Sequence, residues 1–69
     1  MPDSYHDSPI DNLIVARKAT GLTQTELAAA CGLTQSVIAR IENKKSVPTL
    51  ATFQKIAHAL GKTIKIVDL

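Results

Sequence analysis

Few of the usual stabilisers of a small protein are present in this sequence. Cys31 is its only cysteine, so no disulfide can close within the chain. His6 and His58 are far apart and neither belongs to a Cys/His ligand spacing, so no metal or other cofactor is expected. Tryptophan is absent, and the two aromatic residues are Tyr5 and Phe53, with Phe53 on a core face. That is too few for the stacking platforms that hold single strands or RNA. No apolar run approaches the ~20 residues of a membrane span. Asp3 and Asp7 stand where a secretory leader would be basic and then apolar. A cytoplasmic protein with no membrane partner is the expectation. The six carboxylates are dispersed, no nucleophile stands beside a base, and no glycine loop cradles phosphate, so no enzyme is expected.

A chain of 69 residues makes one small domain. It buries only about 60% of the surface that its unfolded form exposes, which leaves its stability marginal without help. With disulfide and metal set aside, a partner chain remains, and a homodimer is the simplest source of one. The formal charge is +2, mildly basic, which permits nucleic acid as a partner without requiring it. Placement says more: Arg40, Lys44 and Lys45 put three of the eight cations within six residues.

Along the chain, residues 1–8 are polar and aperiodic and read as a loose N-terminal arm that carries Tyr5. Ser8-Pro9 reads as an N-cap followed by proline at the first helical position, opening a helix that runs to Thr20 and stops at Gly21. Thr23-Gln24-Thr25-Glu26 is a capping box, and the second helix runs from Gln24 to about Cys31, stopping at Gly32. Thr34 caps a third helix, Gln35 to Asn43, and Pro48-Thr49 introduces a fourth that reaches Leu60 before Gly61. Two glycine-stopped helices around Gly32-Leu33-Thr34 make the tight corner of a helix-turn-helix within residues 22–45. Residues 9–61 therefore form an all-α, compact four-helix domain. Residues 62–69 change pattern: Ile64 and Ile66 alternate with Lys65, which reads as a short strand. A lone strand needs another beside it, and the chain offers none. Ile64, Ile66, Val67 and Leu69 are thus candidate dimerisation residues.

At about 100° per residue from Gln35, the third helix sorts its side chains into two faces. Val37, Ile38 and Ile41 fall between roughly 200° and 300° and form a stripe expected to face the core. Gln35, Ser36, Ala39, Arg40 and Asn43 fall between roughly 0° and 140°. That outer face has donors, acceptors, a cation and a small apolar group, which is what a major groove asks for. Glutamine pairs bidentately with adenine, arginine with guanine, and alanine meets the thymine methyl. Any soluble helix has a polar outer face, so the context matters. Gln24 lies at the N-terminus of the preceding helix, where free N–H groups suit a phosphate. Lys44 and Lys45 follow as phosphate contacts, although exposed lysines more often only solubilise. On the first helix, Ile10, Leu13, Ile14 and Arg17 share one stripe, which places a guanidinium in an apolar slot. A carboxylate must meet it or the side chain must snorkel to solvent. Glu42, near 340° by roughly the same count, is the expected partner. Cys31 reads as an inert buried thiol four residues after Leu27, and His58 as exposed on the fourth helix, opposite Leu50, Phe53, Ala57 and Leu60.

The segments Gly21-Leu22-Thr23-Gln24-Thr25-Glu26-Leu27-Ala28, Gly32-Leu33-Thr34-Gln35-Ser36-Val37-Ile38-Ala39-Arg40-Ile41-Glu42-Asn43 and Pro48-Thr49-Leu50 together resemble the XRE family, the Cro and phage-repressor type of helix-turn-helix. The resemblance covers about residues 10–61. It implies a lambda-repressor-like fold, DNA-facing roles for Gln24, Gln35, Ser36 and Arg40, and the same Arg17–Glu42 pairing. One departure is Lys44, where the family usually has glycine after Glu-Asn and a left-handed backbone is implied.

The expected function is that of a homodimeric, sequence-specific transcriptional regulator: a repressor on a palindromic operator of double-stranded DNA. The DNA-contact set is Gln24, Thr34, Gln35, Ser36, Ala39, Arg40, Asn43, Lys44 and Lys45. The alternative is an antitoxin that binds a toxin protein and represses its own operon. The tail from Gly61 to Leu69 weakly resembles antitoxins of the HipB and HigA kinds.

Overall fold

The computed structural model describes residues 8–65 and 68, and shows four helices: α1 (Pro9–Thr20), α2 (Gln24–Cys31), α3 (Gln35–Glu42) and α4 (Leu50–Ala59). The arm residues 1–7, together with Ile66, Val67 and Leu69 of the proposed strand, lie outside the described residues.

Each helix starts on a side-chain cap. Ser8 Oγ accepts from the Asp11 N–H at 3.1 Å, and the Asp11 carboxylate accepts in return from the Ser8 N–H at 3.4 Å. Thr23 and Glu26 form the same reciprocal box at 3.0 and 2.9 Å. Thr34 Oγ1 accepts from the Val37 N–H, and Thr49 Oγ1 from the Thr52 N–H, both at 3.2 Å. α4 therefore begins one residue beyond the Pro48-Thr49 pair, because Thr49 is its cap. At the other ends Asn43 and Leu60 are caps outside α3 and α4, so both helices are slightly shorter than their periodicity suggests.

The helices stop by a shared device. A residue in the left-handed conformation turns the chain, and the next N–H returns to a carbonyl five residues back: Leu22 to Arg17, Leu33 to Ala28, Lys45 to Arg40 and Lys62 to Ala57. Three of these turning residues are Gly21, Gly32 and Gly61; at the end of α3 it is Lys44, at φ +60°. The lysine adopts the geometry that usually calls for glycine, and its Nζ lies 3.1 Å from Asp11 Oδ1 at the start of α1.

α3 packs chiefly on α2, with α4 against α2 and α1 against α3. The core is Leu13, Leu27, Ala28, Cys31, Ile38, Ile41, Ile56, Ala57 and Leu60. Leu27, Ile38 and Ile56 are fully enclosed, each side chain stabilising the fold by about 1.5–3 kcal/mol. Cys31 is among the buried residues and its thiol donates to the Leu27 carbonyl at 3.1 Å, whereas His58 is exposed.

Two residues assigned inward by periodicity are not enclosed. Val37 is 37% exposed and Leu50 is 70% exposed. Val37 sits in the first turn of α3 and Leu50 at the first position of α4, where a helix projects beyond the neighbours that cover its middle. Val47, in the α3–α4 connection, is also exposed. Among the described residues there is no strand, and Thr63, Ile64 and Lys65 are in irregular conformation. Ile64 is half-buried and packs on the core, lining with Leu13, Leu50, Phe53 and Ala57 a groove of about 530 Å³ between α1 and α4. Among the described residues no helix is long and apolar enough to cross a membrane.

Lys44 gives a direct test of the α3 terminus. Lys44→Gly and Lys44→Met both remove the ammonium from Asp11, so their difference isolates the backbone. The glycine variant is expected to be more stable by about 1 kcal/mol in urea unfolding, because an L-residue is penalised in the left-handed region and glycine is not. Equal midpoints would show that the turn imposes no strain on lysine.

Candidate nucleic-acid interface

α2 and α3 meet at the Gly32-Leu33-Thr34 corner, with Leu33 half-buried against the core. Ile38 and Ile41 hold α3 down from beneath, so its other face is the one presented outward. Thr34, Gln35, Ser36, Arg40 and Asn43 are exposed, and Ala39 is half-buried at the edge of the same face. Lys45 is exposed as well. Lys44 is exposed but engaged with Asp11, an ion pair across the solvent-facing side of α1 and α3. Sequence reasoning missed that acidic partner. No local pattern signals it, because Asp11 and Lys44 lie 33 residues apart in the chain.

Arg17 and Glu42 come together closely. Arg17 Nε donates to Glu42 Oε2 at 2.7 Å and Nη2 donates to Oε1 at 2.9 Å, a bidentate pair in which both side chains are about 90% shielded (11% and 10% exposed). The remaining nitrogen, Nη1, donates to the Leu22 carbonyl at 2.9 Å, just before α2. A single guanidinium thereby ties α1 to α3 and to the entrance of α2.

Gln24 extends this linkage to the outer face. Its Nε2 donates to Glu42 Oε1 at 3.0 Å, and its Oε1 accepts from Gln35 Nε2 at 2.8 Å. Gln24 is half-buried, and Gln35, at the first position of α3, is exposed. Both glutamines were candidates from sequence, but their bonds to each other and to Glu42 were not foreseen. Nothing in the spacing of residues 24, 35 and 42 reveals that three different helical positions converge.

The electrostatics follow the same contacts. Burial pushes the Glu42 carboxyl up, but hydrogen bonds from Arg17 and Gln24 and the fields of Arg17 and Lys18 outweigh it, so its pKa lies below the ordinary value. The hydrogen bond to Glu42 raises Arg17 above its ordinary value against the opposing effect of burial. Asp11 is lowered by its hydrogen bond from Lys44, and Glu26 by the Thr23 N–H. Among the described residues no group of three or more His, Cys, Asp or Glu side chains could hold a metal ion.

Four short capped helices, a glycine corner and an outward α3 anchored from behind define a helix-turn-helix domain. The chain belongs to the helix-turn-helix family HTH_3, which it matches over residues 13–67, and is of the XRE type. Among its relatives is an uncharacterised HTH-type transcriptional regulator of Haemophilus influenzae, 42% identical over 60 residues, which cover 87% of this chain and 61% of that protein. The chain thus spans less than two thirds of that relative's length. A solved toxin–antitoxin module from Streptococcus pneumoniae is similar, with a TM-score of 0.72, 41% identity and coverage of 88% of this chain and 67% of the other. So is a chain in the structure of a HipA-HipB-O2-O3 complex, with a TM-score of 0.77, 34% identity and coverage of 88% and 90%.

Removing the guanidinium should expose the weight of the pair. Arg17→Met leaves a shielded carboxylate with only Gln24 as donor and is expected to cost about 2–3 kcal/mol at neutral pH in chemical denaturation. The stabilisation tied to a lowered carboxyl is complete above the unfolded carboxyl's pKa and disappears as pH falls through the folded value. The stability gap between wild type and Arg17→Met should therefore narrow from about pH 5 downward. A gap that does not change with pH would show that Glu42 is not held ionised by Arg17.

Proposed function

We propose that this protein is a sequence-specific, double-stranded DNA-binding transcriptional regulator, acting in the cytoplasm as a homodimeric repressor on a palindromic operator. The observation that carries the reading is the exposed face of α3, on which Gln35 is anchored through Gln24 and Glu42 to Arg17. A recognition helix must hold its reading groups in place before it meets the duplex, and this one is tethered from behind. Gln35, Ser36, Ala39, Arg40 and Asn43 read base edges, and Thr34, Gln24 and Lys45 contact the backbone. Lys44 can join them on exchanging Asp11 for a phosphate. Residues 9–61 are the binding domain, residues 1–8 an arm, and residues 62–69 the segment through which two copies pair, with Ile64, Ile66, Val67 and Leu69 at the contact. Paired copies would set two α3 helices into successive major grooves about 34 Å apart.

A second reading, an antitoxin that also represses its own operon, is favoured by the similarity to the Streptococcus pneumoniae toxin–antitoxin module. It adds a toxin protein as partner and keeps the same DNA-reading face. Copurification of the protein with a second, toxin-like chain would favour it over a stand-alone repressor.

Selection of bound duplexes from a random pool, followed by a salt titration, tests the regulator reading. A palindromic consensus and a steep loss of affinity with salt are expected. Arg40→Ala should relax preference at one base position in each half-site by about 1–3 kcal/mol, and Lys45→Ala should weaken all sequences alike while lowering the salt slope by about one. No enrichment of any duplex, even at low salt, would sink the reading.

A further inference from the structure

The four side chains behind α3 form a hydrogen-bonded series whose direction is dictated at its charged end. Arg17 has only donors, and it spends three of them on Glu42 and the Leu22 carbonyl. Glu42 is ionised against Arg17 and can only accept. Gln24 must therefore turn its NH2 toward Glu42 Oε1, at 3.0 Å, which leaves its carbonyl oxygen facing Gln35. Gln35 must in turn offer its own NH2, at 2.8 Å. An amide that could otherwise rotate by half a turn with little steric penalty has one allowed orientation.

We propose that Glu42, although it does not face the duplex, is a specificity-determining positioning residue: its negative charge, relayed through Gln24, sets the polarity of the Gln35 amide and thereby the base that Gln35 accepts. The inference rests on the regulator reading above. In the orientation observed, Gln35 has one N–H committed to Gln24 and presents the other N–H together with its carbonyl oxygen. That donor–acceptor pattern complements adenine, which offers the N7 acceptor and the N6 amino donor in the major groove. In the reversed orientation the carbonyl would face Gln24 and both N–H groups would point outward, matching the two acceptors N7 and O6 of guanine. The charge on Glu42 thus selects adenine over guanine at the position Gln35 reads. This role is separate from joining α1 to α3, because it requires Gln24, which the Arg17–Glu42 contacts do not.

Duplex selection and competition binding with purified full-length protein separate the two roles. Gln35→Ala first locates the position, as the place in each half-site where the adenine preference disappears. Two further variants break the series. Glu42→Gln replaces a pure acceptor by an amide that can donate to Gln24 and allow the reversed series. Gln24→Met removes the relay while leaving Arg17 and Glu42 paired, so folding is preserved, as circular dichroism and thermal melting would verify. Both should reduce adenine-over-guanine discrimination at that position by about tenfold while the preferences read by Arg40 persist. A purely structural Glu42 would lower stability and affinity for all duplexes without moving this ratio. The proposal is overturned if folded Gln24→Met keeps the wild-type ratio, or if Gln35→Ala changes no position. A wild type that prefers no duplex overturns the regulator reading instead, and this inference with it.

Discussion

The contact between Arg17 and Glu42 sets the geometry on which the outward face of α3 depends. In a domain of this size each helix shares only a narrow stripe of apolar surface with its neighbours, and such stripes alone tolerate sliding and rotation. A bidentate guanidinium–carboxylate pair does not, because both planar groups must stay aligned to keep both hydrogen bonds. The third nitrogen, on the Leu22 carbonyl, brings the α2 entrance into the same joint. Water is largely kept from the pair, so its electrostatics are weakly screened compared with those of the exposed pair between Asp11 on α1 and Lys44 in the turn after α3.

The same joint has a chemical polarity that apolar packing lacks. Hydrophobic contacts place a helix but cannot orient an amide. Here the acceptor-only carboxylate is the origin from which the orientations of Gln24 and then Gln35 follow. On the proposed reading, the stabilising pair and the base-reading glutamine belong to one hydrogen-bonded series.

The groove between α1 and α4 is a surface of a different kind. Leu50 is mostly exposed and lies beside Phe53 and Ile64 along the groove between α1 and α4. Ile64 packs against the core of its own chain. The described part of the tail thus adds to the small core, and pairing between copies would have to accommodate that packing or release it.

Helix starts and stops were legible in the sequence because they depend on near neighbours. Ser8, Thr23, Thr34 and Thr49 cap within three residues, and the glycine turns close over five, so local pattern suffices. Arg17 was legible as an anomaly, a cation on an apolar stripe, and elementary solvation required a carboxylate to meet it. The inward assignments of Val37 and Leu50 went astray because periodicity describes the face of a helix and not how far its neighbour extends along it. By itself the sequence determined which segments are helical, where they end to within about a residue, and that α3 has one apolar face for the core and one polar face. Only the tertiary structure decided that Gln24 spans Glu42 and Gln35 and that Lys44 leans on Asp11. Those pairings span 11 to 33 residues of chain and exist only because the helices cross at particular distances, which no local pattern encodes.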